Sequence, residues 1–243
     1  NSFIQSSWRL KGDGDLIVNK LMTDIRSMGG EIICNAEVEE LIEKDGQLVA
    51  ARCGNGEIYE ANLFISNAHP AVTCDLVKES TRMKKVYKKR ISNLENTYGM
   101  FTLSLALKPE TLKYFNFNQY IYKEADVWDY YSKPGPVSGI LISCRCPEEG
   151  DYTQVIDIIT PMPWEQIEQW SDTTIGHRGE EYKELKARKA DECIALAEQF
   201  IPGLSSMIQD RYMSTPLTYR DYTLTPNGSA YGVRKDYNNP MMT

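Results

Sequence analysis

Residues 27–70, SMGGEIICNAEVEELIEKDGQLVAARCGNGEIYEANLFISNAHP, carry the dipeptides Asp45-Gly46 and Asn55-Gly56, which separate three short runs at 36–43, 47–53 and 57–61. Asp-Gly and Asn-Gly suit tight hairpins because both central positions of a type I′ turn need φ > 0. The stretch therefore predicts a three-stranded antiparallel meander. On either side of it, EIIC (31–34) and LFIS (63–66) are short and almost continuously apolar, the pattern of strands covered on both faces. A meander of this size has one apolar face and needs something further to pack against. It reads as an insertion into a larger sheet.

Upstream, Ile17, Leu21, Ile25 and Met28 recur at helical spacing over residues 15–28, with Asp13 or Asp15 as N-cap and Gly29-Gly30 as the stop. Downstream, a short helix is expected over 71–78 and a basic one over 82–94. Strands follow at 100–107, 139–146 and 154–160, joined by connections rich in Tyr114, Phe115, Phe117, Tyr120, Tyr122, Trp128, Tyr130 and Tyr131. These predict a second, mainly antiparallel sheet. A long helix over 179–200 places Leu185, Cys193, Leu196 and Phe200 on one side and ends at Pro202-Gly203. The tail, STPLTYRDYTLTPNGSAYGV, is dense in turn formers and aromatics and reads as an ordered loop. The fold class is α+β, divided at residues 1–70, 71–215 and 216–243.

With 42% apolar and 25% charged residues in 243, the composition is that of an ordinary globular protein, which argues against disorder. The net charge of -7 disfavours broad nucleic-acid binding, since basic residues are dense only over 82–90. No apolar run approaches the ~18 residues of a membrane span. The expectation is a soluble, cytoplasmic protein, with peripheral membrane contact left open by the basic group; the sequence does not set the oligomeric state. Six scattered cysteines and two distant histidines lack zinc-ligand spacing, so reduced thiols and no metal are expected.

No G-x-S-x-G is present to supply a serine nucleophile. His69, just after the LFIS run, is placed either to approach a ligand or to serve as a loop residue before proline, and His177 in TTIGHRGEE looks solvent-facing. Adjacent acidic pairs such as Glu39-Glu40 and Glu180-Glu181 are ordinary solvated faces. KKVYKKR (84–90) either faces solvent or touches an anionic surface. The aromatic belt from Tyr98 to Tyr131 fits a core and an apolar pocket equally. Gly228 and Gly232 bracket Ser229, Ala230 and Tyr231, a strip whose glycines let backbone turn or approach a ligand closely.

Taken in order, LIVNKLMTDIRSMGGEI, AEVEELIEKDGQLVAARCGNGE, ANLFISNAHP, EYKELKARKADECIALAEQFIPGL and STPLTYRDYTLTPNGSAYG resemble the phytoene desaturase, carotenoid isomerase and retinol saturase group of FAD-dependent oxidoreductases, within the amine-oxidase-like flavoproteins. The resemblance implies that the opening stretch belongs to an FAD-binding domain. There, a backbone group at Val38 would hold the adenine end, and Ser66 and Asn67 would end a strand close to the cofactor. It further implies a substrate domain over 71–215 and a tail returning towards the flavin, with Gly228, Ser229, Tyr231 and Gly232 bordering it. The substrate would be an apolar polyene, isoprenoid or other lipid, desaturated, saturated or isomerised; no catalytic side chain is assigned. The family's G-x-G-x-x-G pyrophosphate loop occurs nowhere in these residues. The chain is therefore expected to be an internal piece of a flavoenzyme, inactive and flavin-free by itself. Two other readings keep the fold: a flavin amine oxidase, which amines would reduce, and a non-catalytic lipid or prenyl-protein carrier, which would hold no flavin.

Overall fold

A computed structural model describes residues 10–11, 14–127, 129–131, 134–235 and 238; Asp13 and Trp128, named above, lie outside them. The chain runs α1 (Asp15–Ser27), β1 (Val38–Lys44), β2 (Gln47–Cys53), β3 (Ile58–Glu60), α2 (Pro70–Leu76), α3 (Lys85–Ser92), β4 (Gly99–Leu107), β5 (Asn118–Tyr122), β6 (Gly139–Cys144), β7 (Val155–Met162), α4 (Gly179–Ala197), α5 (Leu204–Met207), β8 (Ile208–Ser214) and α6 (Pro216–Thr223). It divides into two units, one of residues 1–32 with 100–215, the other of 33–99 with 216–243. The described strands and helices are those of an α+β protein.

In α1, Asp15 in the first turn and Arg26 in the last complement the helix dipole, and Gly29 at φ +83° ends the helix. The N-cap is Gly14, with no side-chain cap bond, rather than an aspartate. No residue of α1 is buried: Leu16, Ile17, Val18 and Leu21 are each more than half exposed.

The meander forms as expected, in the order β1-β2-β3 with antiparallel pairing. Its first turn has φ 52° at Asp45 and 78° at Gly46, the signature of type I′. The second departs from expectation. Only Gly56 has positive φ there, and the Asn55 side chain instead accepts from the Glu57 N–H at 3.1 Å, closing a wider loop through an Asx turn. Leu41, Ala50 and Cys53 are the buried side chains of the sheet.

The two flanking strands do not form. EIIC and LFIS have no strand conformation, and Leu63 and Ile65 are 77% and 90% exposed. A strand covered on both faces needs ladder partners and packed layers, and no described strand pairs with either segment. The expected part of an FAD-binding sheet is thus reduced, among the described residues, to the meander alone.

Glu43 fastens the meander to the segment before α3. Its carboxylate accepts from the Ser80 hydroxyl and, at 2.7 Å each, from the Thr81 N–H and hydroxyl. The Ser80 hydroxyl, followed by Thr81, holds the Glu43 carboxyl below the ordinary glutamate range. A pKa lowered by folding contributes stability that is present above the unfolded value and lost as pH falls through the folded one. Glu43→Gln should therefore flatten the acid limb of the stability profile below roughly pH 4.5. Urea unfolding at stepped pH checks this; an unchanged acid limb would show that the contact contributes nothing.

The larger unit is built on a five-stranded sheet of order β5-β6-β7-β4-β8, in which β4/β8, β5/β6 and β6/β7 pair antiparallel. Phe101, Leu103 and Leu105 alternate along β4 and meet Ile140, Ile142, Ile156 and Ile158 in a core where each is 0% exposed. Tyr182, Leu185, Ala190, Cys193, Leu196 and Ala197 give α4 its buried face. The strand predicted over 139–146 ends at Cys144. The sheet's two edge strands, β5 and β8, were not foreseen, and α6 lies in what the sequence suggested was a loop, with Pro216 leading the helix. No helix among the described residues is long and apolar enough to cross a membrane.

Candidate functional site

After α6 the chain reverses through Leu224, Asn227 and Gly228, all at positive φ, and runs back as a strip beside residues 95–99. The two lines are stitched by Ala230 N–H to Tyr98 C=O at 2.9 Å, Thr97 N–H to Gly232 C=O at 2.8 Å and Arg234 N–H to Glu95 C=O at 2.8 Å. The Thr97 hydroxyl accepts from the Tyr231 N–H at 3.0 Å, closing the ribbon with a side chain. An Arg234–Glu95 ion pair at 2.8 Å holds its end.

Glycine is required at two places in this ribbon. A Cβ on Gly228 would lie 1.8 Å from the Pro216 carbonyl oxygen, and one on Gly99 would lie 2.5 Å from Pro216 Cγ. The close approach buries Ser229 to 6% exposure and leaves its hydroxyl with no hydrogen-bond partner among the described residues. A buried hydroxyl without a partner costs roughly 1–3 kcal/mol. Tyr231, by contrast, is 73% exposed and stands edge-on against Tyr98, ring centroids 6.4 Å apart.

His69 lies against the strip, its Cδ2 3.7 Å from where a Cβ on Gly232 would be. As N-cap of α2 it accepts from the Ala71 N–H through Nδ1 at 3.2 Å, which places the proton on Nε2 for Asn96 Oδ1 at 2.8 Å. Both ring nitrogens are engaged in holding loop to ribbon. This is the loop reading of His69, not a general base. Ser66 bonds Thr73 at 2.7 Å between hydroxyls and Asn67 beside it is exposed, so both lie in the loop that enters α2.

The sequence-nominated residues thus fall into two groups. Gly228, Ser229, Tyr231 and Gly232 share one ribbon with His69 against it, and Ser66 and Asn67 precede His69 by a few residues. Val38 stands apart, with no hydrogen bond to the strip among the described residues. It sits on β1, an edge strand, opposite Cys53. Because Gly54 N–H bonds Glu37 C=O at 2.9 Å, the antiparallel alternation turns the N–H and C=O of Val38 off the sheet edge. Asn96 and Thr97, which organise the ribbon, were missed by the sequence reading. The available signal was Gly99 at the head of a strand, where glycine marks close approach of another backbone.

His177 is exposed, as expected. Burial pushes the Cys193 thiol up to about 12, which keeps it protonated and unreactive. The aromatic belt packs ring on ring, Phe115 against Phe117 at 4.9 Å and Phe200 at 5.5 Å, Tyr122 against Tyr130 at 5.2 Å. An open groove of about 880 Å³ in the larger unit is lined by Arg145, Glu148 and Glu149 together with Leu10, Pro147 and Val155, an open cleft of mixed character rather than an enclosed apolar tunnel.

No family model matches the chain. Among curated proteins, it is 24% identical to the all-trans-retinol 13,14-reductase of Rattus norvegicus over 96% of this chain and 42% of that protein. Against the chloroplastic prolycopene isomerase of Daucus carota the figures are 30%, 89% and 34%. Against the neurosporene-forming phytoene desaturase of Rhodobacter capsulatus they are 25%, 91% and 43%. The chain spans less than half the length of these relatives. A crystal structure of an oxidoreductase from Methanosarcina mazei shares the fold with a TM-score of 0.52 at 17% identity, over 81% of this chain and 41% of that one.

Proposed function

We infer that this chain, a relative of the retinol reductases, prolycopene isomerases and phytoene desaturases, is part of an FAD-dependent oxidoreductase acting on an apolar polyene or isoprenoid-like lipid. The observation that carries the reading is the sequence similarity to enzymes of that one group, which extends over 89–96% of the chain. The exposed LFIS segment and, separately, the exposed apolar residues of α1 support it, because both have the composition of elements made to be covered by further sheet.

The residues present fit the cofactor. The Val38 backbone faces outward from a sheet edge, as a donor to an adenine would. Ser229 keeps a buried, unpartnered hydroxyl, and Gly232 has no side chain to obstruct a flat ring, whereas the side of Gly228 that a Cβ would occupy is taken by Pro216. In this assignment Val38, Ser66, Asn67 and the 228–232 strip hold FAD, which when bound supplies two-electron exchange with a carbon–carbon bond. The chain's own task is orientation: the ribbon fixes Tyr231 at the exposed end, and the His69–Asn96 pair holds the loop carrying Ser66 and Asn67. None of these side chains is placed as an acid or base, in keeping with chemistry carried by the cofactor.

The test is Val38→Pro in the complete enzyme. Since the Val38 N–H points away from β2, proline on this edge removes no ladder bond and the fold should persist. Flavin retained per folded molecule should fall at least tenfold, whereas Val38→Ile should leave it unchanged. Flavin content measured by absorbance beside a thermal melt decides; a proline variant that folds and stays fully loaded would sink the assignment.

A further inference from the structure

We propose that α3 is a docking surface for an anionic lipid bilayer. Residues 82–90 contain Arg82, Lys84, Lys85, Lys88, Lys89 and Arg90 and no acidic residue, within a chain whose net charge is -7. A local positive patch on an acidic protein is a site of charge complementarity to anionic headgroups. The arrangement of the patch, beyond its composition, points to a bilayer.

Lys88 and Ile91 are the half-buried side chains of α3, and Lys88 donates to the Val77 carbonyl, which fixes the inward face. At ~100° per residue, Val86 falls roughly opposite that face, with Lys85, Lys89 and Arg90 within about 100° to its sides. Val86 is 81% exposed and Tyr87 is 51% exposed. An aliphatic side chain at the centre of a basic outward face, with a tyrosine on its flank, matches a surface that sets cations among headgroups and lowers an apolar group between them. The platform is also held in place. Glu43 ties Ser80 and Thr81 to β1, and the Arg82 side chain lies over the Asp45-Gly46 turn, where a Cβ on Gly46 would come within 2.7 Å of Arg82 Nε.

This inference stands apart from the flavin assignment, because the helix and its partner involve none of the residues given to FAD. The chain as it is, incubated with vesicles of phosphatidylcholine alone or mixed with phosphatidylserine, should co-sediment with the mixture only. High salt should release it. Each basic residue near such a surface is worth roughly fivefold in partitioning, so Lys85→Glu with Lys89→Glu should lower binding by tenfold or more. Val86→Ser, which leaves charge untouched, should lower it by about threefold to tenfold. Lys113→Glu, outside the segment, should have little effect, and thermal melts establish that every variant folds. Equal binding to neutral and mixed vesicles, no binding to either, or full binding by the Lys85/Lys89 pair or by Val86→Ser would each overturn the proposal. Displacement by inorganic phosphate at constant ionic strength would also overturn it, marking a site for free anions.

Discussion

Gly228→Ala is expected to release the tail ribbon and destabilise its unit by about 3 kcal/mol or more. Two costs combine. The backbone at φ +57° disfavours a residue with a Cβ, by roughly 1–2 kcal/mol. The new atom would also stand 1.8 Å from the Pro216 carbonyl oxygen, and overpacking against backbone adds ~1–3 kcal/mol. Gly232→Ala is the comparator: its φ of +68° carries the first cost, but its Cβ would meet nothing nearer than His69 Cδ2 at 3.7 Å. It should lose only the conformational part. Amide exchange at residues 95–99, read with urea unfolding, separates the two variants. If both lose the same, the apposition of Pro216 and Gly228 does not hold the ribbon.

Phe101→Ala should be the most damaging truncation in the larger unit. The ring is fully buried on β4, in the middle of a layer that contains Leu103, Ile140 and Ile158 at the same 0% exposure. Loss of a ring from such a core costs about 3–5 kcal/mol, transfer and cavity together. The expected result is a lower urea midpoint with an unchanged slope. A loss below about 1 kcal/mol would mean that the layer collapses around the gap and is far less rigidly packed than its burial suggests.

The parts of the fold that were legible in the sequence are those where local chemistry and tertiary role agree. Asp45-Gly46 adopts the turn its residues favour, β4 alternates because one face is core, and α4 shows its buried stripe at helical spacing. The strands that escaped notice, β5 and β8, are the two edges of the sheet. In β8 the run Gln209, Asp210, Arg211 and Tyr212 is exposed throughout, so no alternation exists to be read. EIIC and LFIS failed in the opposite way. An apolar run announces that it is to be covered, but only pairing with other strands makes it a strand, and no described strand pairs with either. At the candidate site, glycine spacing drew attention to 228–232, while Asn96 and Thr97 carry no local signature because their role is created by a partner far along the chain.

That separation sets a timetable. Thr97 and Gly232 are 135 residues apart and bond to one another, and the intervening 100–215 belong to the other unit. Ribosomes add ~5–20 residues per second, so roughly 7 to 27 seconds pass between the synthesis of one side of the ribbon and the other. Sheet-rich domains fold in milliseconds to seconds. Because β8 ends only at Ser214, the sheet of that unit is completed shortly before Gly232 is made, and throughout the interval Glu95 to Gly99 wait with unpaired backbone for residues 229–234. Until residues 229–234 emerge, the open edge of the ribbon is what a chaperone would meet.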